Sequence, residues 1–170
     1  MMSEQTHGSG FFSFPDPVNE VSARLVAGGV VLMSLATIAF DLPWMTAVIA
    51  YGFIARALTG PTMSPLGQLV TRVITPRLPV ASRPVPGPPK RFAQGIGIAF
   101  SLTAAVLALG FGDTQAAYIV LALLVVAATL ESVFALCLGC KAFAVLMRLG
   151  VIPEEVCERC NNIGVGLRST

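Results

Sequence analysis

Charge is what this chain has least of. Of its 170 residues only 12% are charged while 55% are hydrophobic, a balance that excludes an ordinary soluble domain. Mean hydropathy is +0.78. Histidine occurs once, as His7 in a polar leading stretch, which excludes a histidine-based triad and a histidine-rich metal site. No alternating strand pattern is present, so no glycine-rich phosphate loop can follow a strand. Residues Met1 to Gly10 lack a basic stretch followed by an apolar core, so no cleavable signal is read there and the first apolar segment is expected in the mature protein.

Four apolar segments divide the chain, and the two short turns within pairs carry Asp41 and Asp113 but no Lys or Arg. The eleven basic residues are Arg24, Arg56, Arg72, Arg77, Arg83, Lys90, Arg91, Lys141, Arg148, Arg159 and Arg168. All can sit on one side of a bilayer. Because translocating Lys and Arg is disfavoured, this asymmetry predicts an inner-membrane, multi-pass protein with both termini cytoplasmic. It also accounts for the basic residues without a nucleic-acid partner; the partner it implies is the lipid bilayer.

The expected fold class is all-α, a polytopic membrane protein of four transmembrane helices in two hairpins. Its parts are a flexible tail (1–15), a first hairpin (16–60), a Pro-rich cytoplasmic linker (61–89), a second hairpin (90–140) and a cytoplasmic cysteine-bearing cap (141–170). Asp16-Pro17 reads as N-cap and first helical residue of the first span, which runs to Phe40. The second span runs from Pro43 to about Leu58, stopped by Gly60-Pro61; the third from about Arg91 to Leu109; the fourth from about Thr114 to Cys140. The linker holds eight of the twelve prolines and reads as stiff and extended, non-helical from Arg83 to Pro89. Within it Leu66, Leu69, Val70, Val73 and Ile74 share a helical face, which predicts a short helix lying in the membrane surface. A shift of 67 residues aligns Arg24 with Arg91, Gly28 with Gly95 and Ser34 with Ser101, the pattern of a weak parallel repeat. Small-residue faces also allow a homo-oligomer.

All four cysteines fall in two pairs, Cys137-Leu-Gly-Cys140 and Cys157-Glu-Arg-Cys160, with sixteen residues between them. That spacing suits a zinc site, and four thiolates suit tetrahedral zinc or iron. In a reducing cytoplasm Cys-x-x-Cys is equally a catalytic dithiol. Plain packing is the third reading, since cysteine is a small apolar residue. Pro153-Glu154-Glu155 begins a short helix on whose face Cys157 and Cys160 lie together, and Gly150 permits the turn that brings the pairs close. Lys141, beside Cys140, is expected to lower a thiol pKa. Glu131, six residues before Cys137, is costly inside a membrane and therefore a functional suspect. Arg56 falls near the same depth, and an Arg56–Glu131 ion pair is expected, against the alternative that both snorkel separately.

Arg91-Phe-Ala-Gln-Gly95 opening the third span and Phe134-Ala-Leu-Cys-Leu-Gly-Cys140 closing the fourth resemble the bacterial membrane-protein family called domain of unknown function 4395, over about residues 15 to 145. The segment carrying Cys157 and Cys160 departs from that pattern, so Cys137 and Cys140 would act alone in relatives that lack it. The resemblance carries no activity of its own. It implies a thioredoxin-like or rhodanese-type cytoplasmic partner by association only. A quinone-linked disulfide generator of the vitamin K epoxide reductase type also joins four helices to a Cys-x-x-Cys, but its thiols face the opposite compartment. The expectation is therefore a cytoplasmic-face dithiol, Cys137/Cys140, for thiol redox or sulfur relay, with Cys157/Cys160 passing equivalents to the partner. The alternative is a non-enzymatic four-cysteine zinc- or iron-binding protein, or a membrane scaffold subunit.

Overall fold

A computed structural model describes residues 16–153 and residue 156. Four main helices lie side by side: α1 (Glu20–Ala39), α2 (Met45–Thr59), α4 (Gly87–Ala105, prolonged by wider turns to Gly110) and α5 (Thr114–Phe134). Between α2 and α4 runs the short α3 (Pro65–Gln68), which continues helically through Leu69–Ile74 and Thr75–Arg77. A final helix, α6 (Leu138–Arg148), follows α5. α1, α4 and α5 are long and apolar enough to cross a membrane, and α2 is a shorter apolar helix. Large apolar side chains such as Leu32, Leu102, Ile119 and Val126 face outward, the arrangement a lipid solvent demands.

The core is made by Val30 of α1, Ile49 and Phe53 of α2, and Leu121 and Leu124 of α5. α1 packs chiefly on α5 and α2 chiefly on α4, so each hairpin leans on the other more than on itself. The repeat positions do matching work. Arg24 donates through Nε and Nη2 to the carbonyls of Ser132 (3.0 Å) and Val133 (3.1 Å) at the end of α5. Arg91 donates through Nε to the Ala57 carbonyl (3.2 Å) at the end of α2. Each arginine thus satisfies carbonyls that a helix C-terminus leaves without an intrahelical donor. Ser34 and Ser101 are both fully buried.

These contacts gather Arg24, Arg56, Lys90 and Arg91 at one pole of the bundle. The other pole holds Asp41, whose Oδ1 accepts from the Tyr118 hydroxyl (2.6 Å), and Asp113, which caps α5 by accepting from Ala116 N–H (2.9 Å). The charge asymmetry of the sequence is therefore an asymmetry of the folded bundle.

Several expectations need correction. The first helix begins at Glu20, not Pro17, with Asn19 as N-cap. Val18–Asn19 instead pairs antiparallel with Pro84–Val85, as β1 and β2, so the chain is not wholly without strands. Asp16 does cap a helix, but α4: its Oδ1 accepts from Gly87 N–H (3.1 Å). α4 starts at Gly87 with prolines in its first turn, where a missing N–H costs nothing, so the Pro-rich run ends earlier than expected.

The linker helix packs along α1. Leu66 sits against Gly29, where an added Cβ would come within 2.7 Å of its Cδ1. The Tyr51 hydroxyl donates to the Met63 carbonyl (3.2 Å), whereas Ser22 meets Thr75 through their hydroxyls (3.0 Å). The segment therefore starts beside the middle of α1 and runs back toward its beginning, packed against the bundle. Val70 is buried against the bundle while Leu69 is half exposed, so the apolar face is split between protein and surroundings.

Candidate functional site

The fourth main helix does not run on to Cys140. It stops at Phe134, and Ala135 adopts a left-handed conformation (φ 56°) with its N–H on the Leu130 carbonyl. The cost of a Cβ in that conformation, about 1–2 kcal/mol, falls at the corner that redirects the chain. After Leu136 the chain starts α6 with Cys137 as the N-cap. The Cys137 Sγ accepts from the Cys140 N–H (3.3 Å). Both cysteines are free thiols, Cys137 buried and Cys140 half-buried. The pair thus opens a helix instead of ending a membrane span, as the sequence had suggested.

That position has chemical consequences. Helix N-terminal amides and the dipole favour an anion at the N-cap. The hydrogen bond from Cys140 holds the Cys137 thiol below its ordinary pKa; burial and the Glu131 charge oppose this, while Lys90 and the Cys140 N–H assist. Cys140 is pushed up, first by serving as the donor to Cys137 and then by burial. Of the two sulfurs, Cys137 is the one favoured as thiolate and Cys140 the one favoured as thiol. This is the division of labour a dithiol exchange centre needs.

Two close contacts seat α6 on α4. An added Cβ on Gly139 would lie 2.5 Å from both Cα and Cβ of Ala93, so only glycine permits that approach. Phe92 and Phe143 meet edge to face, with ring centroids 5.6 Å apart.

Behind the thiols lies a chain of buried polar groups. Lys90 Nζ pairs with Glu131 Oε1 at 2.5 Å, with both side chains largely buried. Arg56 donates through Nε to Gln94 Oε1 (3.3 Å) and through Nη1 to Ser64 Oγ (3.2 Å), and its guanidinium lies 4.7 Å from the Phe53 ring centroid. The expected Arg56–Glu131 ion pair is therefore made by Lys90, because α4 begins early enough to place that lysine opposite α5. Arg56 feels Glu131 only as a charge at longer range. Lys141 is exposed, and the cation acting on both thiols is Lys90. The sequence reading missed Lys90 and Gln94 as site residues. The signal for Lys90 was Pro88-Pro89, which marks a helix's first turn.

Two cavities flank the dithiol. A cleft of about 350 Å³ is lined by both cysteines together with Glu20, Lys90, Lys141 and Met147. An inner cavity of about 420 Å³ is walled mostly by apolar residues of α1, α4 and α5 and includes Cys137, Glu131 and Arg56. Cys137 lines both. Cys157 and Cys160 lie outside the described residues. Among the described residues no group of three or more His, Cys, Asp or Glu is placed to hold a metal ion.

The family described as "Domain of unknown function (DUF4395)" matches residues 18–148. The chain belongs to that family. No curated protein and no solved structure matches it.

Proposed function

We propose that this member of the DUF4395 family is a four-span membrane protein whose Cys137/Cys140 dithiol exchanges electrons with a soluble cytoplasmic thiol protein. The observation that carries the reading is the N-cap position of Cys137, with its Sγ held by the Cys140 amide and its pKa lowered by that neighbour's hydrogen bond. The outer cleft, which both sulfurs and Lys141 line, gives the partner access. The basic pole supports a cytoplasmic orientation for this face under the positive-inside rule.

In the direction of partner oxidation, a partner thiolate attacks Cys137 Sγ in the Cys137–Cys140 disulfide. Cys140 leaves and takes up a proton. A second partner thiolate then displaces Cys137, which departs as the stabilised thiolate, and a partner disulfide forms. The reverse sequence reduces a partner. Sulfane sulfur would move by the same geometry: the Cys137 thiolate attacks the outer sulfur of a partner's persulfide, the partner's thiolate leaves, and Cys137 carries the persulfide. Cys157 and Cys160 extend the relay in this reading, and in the alternative they complete a four-sulfur zinc or iron site.

The test is a redox titration of purified full-length protein in a glutathione or dithiothreitol buffer, read by thiol alkylation and peptide mapping. Reversible two-electron titration of Cys137/Cys140, abolished in Cys137→Ser and in Cys140→Ser, supports the exchange. Thiols that do not titrate, in protein carrying about one zinc or iron per chain that any single Cys→Ser change removes, replace it with the metal site.

A further inference from the structure

The inner cavity has no role in exchange with a soluble partner, yet Cys137 lines it. Its volume of about 420 Å³ lies within the range of about 300–1,000 Å³ common to small-molecule sites. The walls are apolar, from Val26 and Val30 of α1 to Phe100 of α4 and Leu124 of α5, and the polar groups, Arg56, Gln94 and Glu131, gather toward the Cys137 end. The rim includes Leu123 and Val126, which are exposed on α5. These are outward-facing apolar residues of a helix long enough to cross a bilayer. A molecule dissolved in lipid would reach such a cavity sideways, apolar portion outermost.

We infer that the inner cavity binds a lipid-soluble quinone, which accepts the electrons of the Cys137/Cys140 dithiol. This rests on the dithiol exchange proposed above and names its second substrate. A ring with two carbonyl oxygens suits the site: Arg56 supplies buried N–H donors, Gln94 a further polar contact, and the apolar walls take an isoprenoid chain. The step balances. The Cys137–Cys140 S–S bond forms, and two electrons pass from the sulfurs to the quinone. One proton comes from Cys140; the other replaces the one Cys137 gave to solvent and enters through Glu131, which lines the cavity beside Cys137. Both finish on the quinol oxygens. The outer cleft and inner cavity then serve opposite ends of one transfer, with Cys137 the wall between them.

The experiment uses the purified full chain in detergent, reduced and freed of reductant, with decylubiquinone. Its ring is fully substituted, so the thiolate cannot simply add to it. The expected result is loss of two protein thiols per quinone reduced, with the new disulfide mapped to Cys137 and Cys140. Ala127→Phe, which fills the cavity from α5, should slow this about tenfold or more while leaving the dithiol titratable in glutathione buffer. Leu123→Ala widens the rim and should keep the oxidation, which guards against a variant that fails only by misfolding. Equal rates in Ala127→Phe and the parent, or equal rates with denatured protein, overturn the quinone site. If the dithiol cycles in glutathione buffer but ignores the quinone, this inference falls and the exchange reading stands. If it cycles in neither, both fall.

Discussion

Replacing Gly139 by alanine tests how the dithiol is held. The added Cβ would lie 2.5 Å from Ala93 Cα and Cβ, against an ordinary carbon–carbon contact of about 3.5–4.0 Å. The start of α6 must therefore retreat from α4 by roughly 1–1.5 Å, since Ala93 Cα is backbone in mid-helix and cannot rotate aside. Overpacking of this kind costs about 1–3 kcal/mol. A matched control exists two residues further along α4: an added Cβ on Gly95 meets nothing within 4 Å. Gly95→Ala should be neutral or stabilising by up to about 1 kcal/mol. Thermal unfolding of both variants in the same detergent, followed by circular dichroism, gives the comparison. Gly139→Ala should also react more slowly with a small thiol reagent, because the retreat separates Cys137 from Lys90. If Gly139→Ala is as stable and as reactive as Gly95→Ala, α6 is not seated on α4 by this contact and the site geometry fails.

Three further outcomes are expected. At neutral pH a small alkylating reagent should modify Cys137 before Cys140, because the first thiol is lowered by its neighbour and the second raised; mass mapping at short times decides it, and Cys140 reacting first refutes the assignment. In Lys90→Met the pH profile of Cys137 alkylation should move to higher pH, since a cation that favours the thiolate is gone. Stability should fall by about 3–5 kcal/mol through the unpaired Glu131, and Lys90→Met with Glu131→Leu should recover most of it. Single cysteines introduced at Asp41 and Arg148 into protein without native cysteines should label from opposite sides of intact cells with an impermeant maleimide; labelling from one side refutes the orientation.

The helices were legible because lipid-facing segments advertise themselves by length and hydropathy, and Asp41 and Asp113 marked the turns. The corner at Ala135 was not legible. Phe134-Ala-Leu-Cys holds neither glycine nor proline, and an alanine in a left-handed conformation leaves no trace in composition. The error moved the thiols from a helix end to a helix start, which changes their chemistry more than their position. The linker was legible only in part, for a different reason. An apolar stripe on residues 66 to 74 says that a face is covered, but not whether lipid or protein covers it, and Gly29, which admits Leu66, lies far off in sequence. Glu131 was marked as a suspect from its cost in an apolar helix, while its partner Lys90 was hidden by counting the Pro-rich run as linker.

The length of α2 has a consequence for the surrounding bilayer. Its fifteen residues extend only about 22 Å, short of a hydrocarbon layer of about 30 Å. Trp44 stands exposed at its start, a side chain that settles at headgroup level. In the four-span arrangement proposed above, the headgroups on that flank would be drawn inward, and lipid thickness would set how much strain the bundle carries. Thin membranes accommodate such a protein; in vesicles of progressively longer acyl chains it should tilt, cluster or lose stability first along this edge.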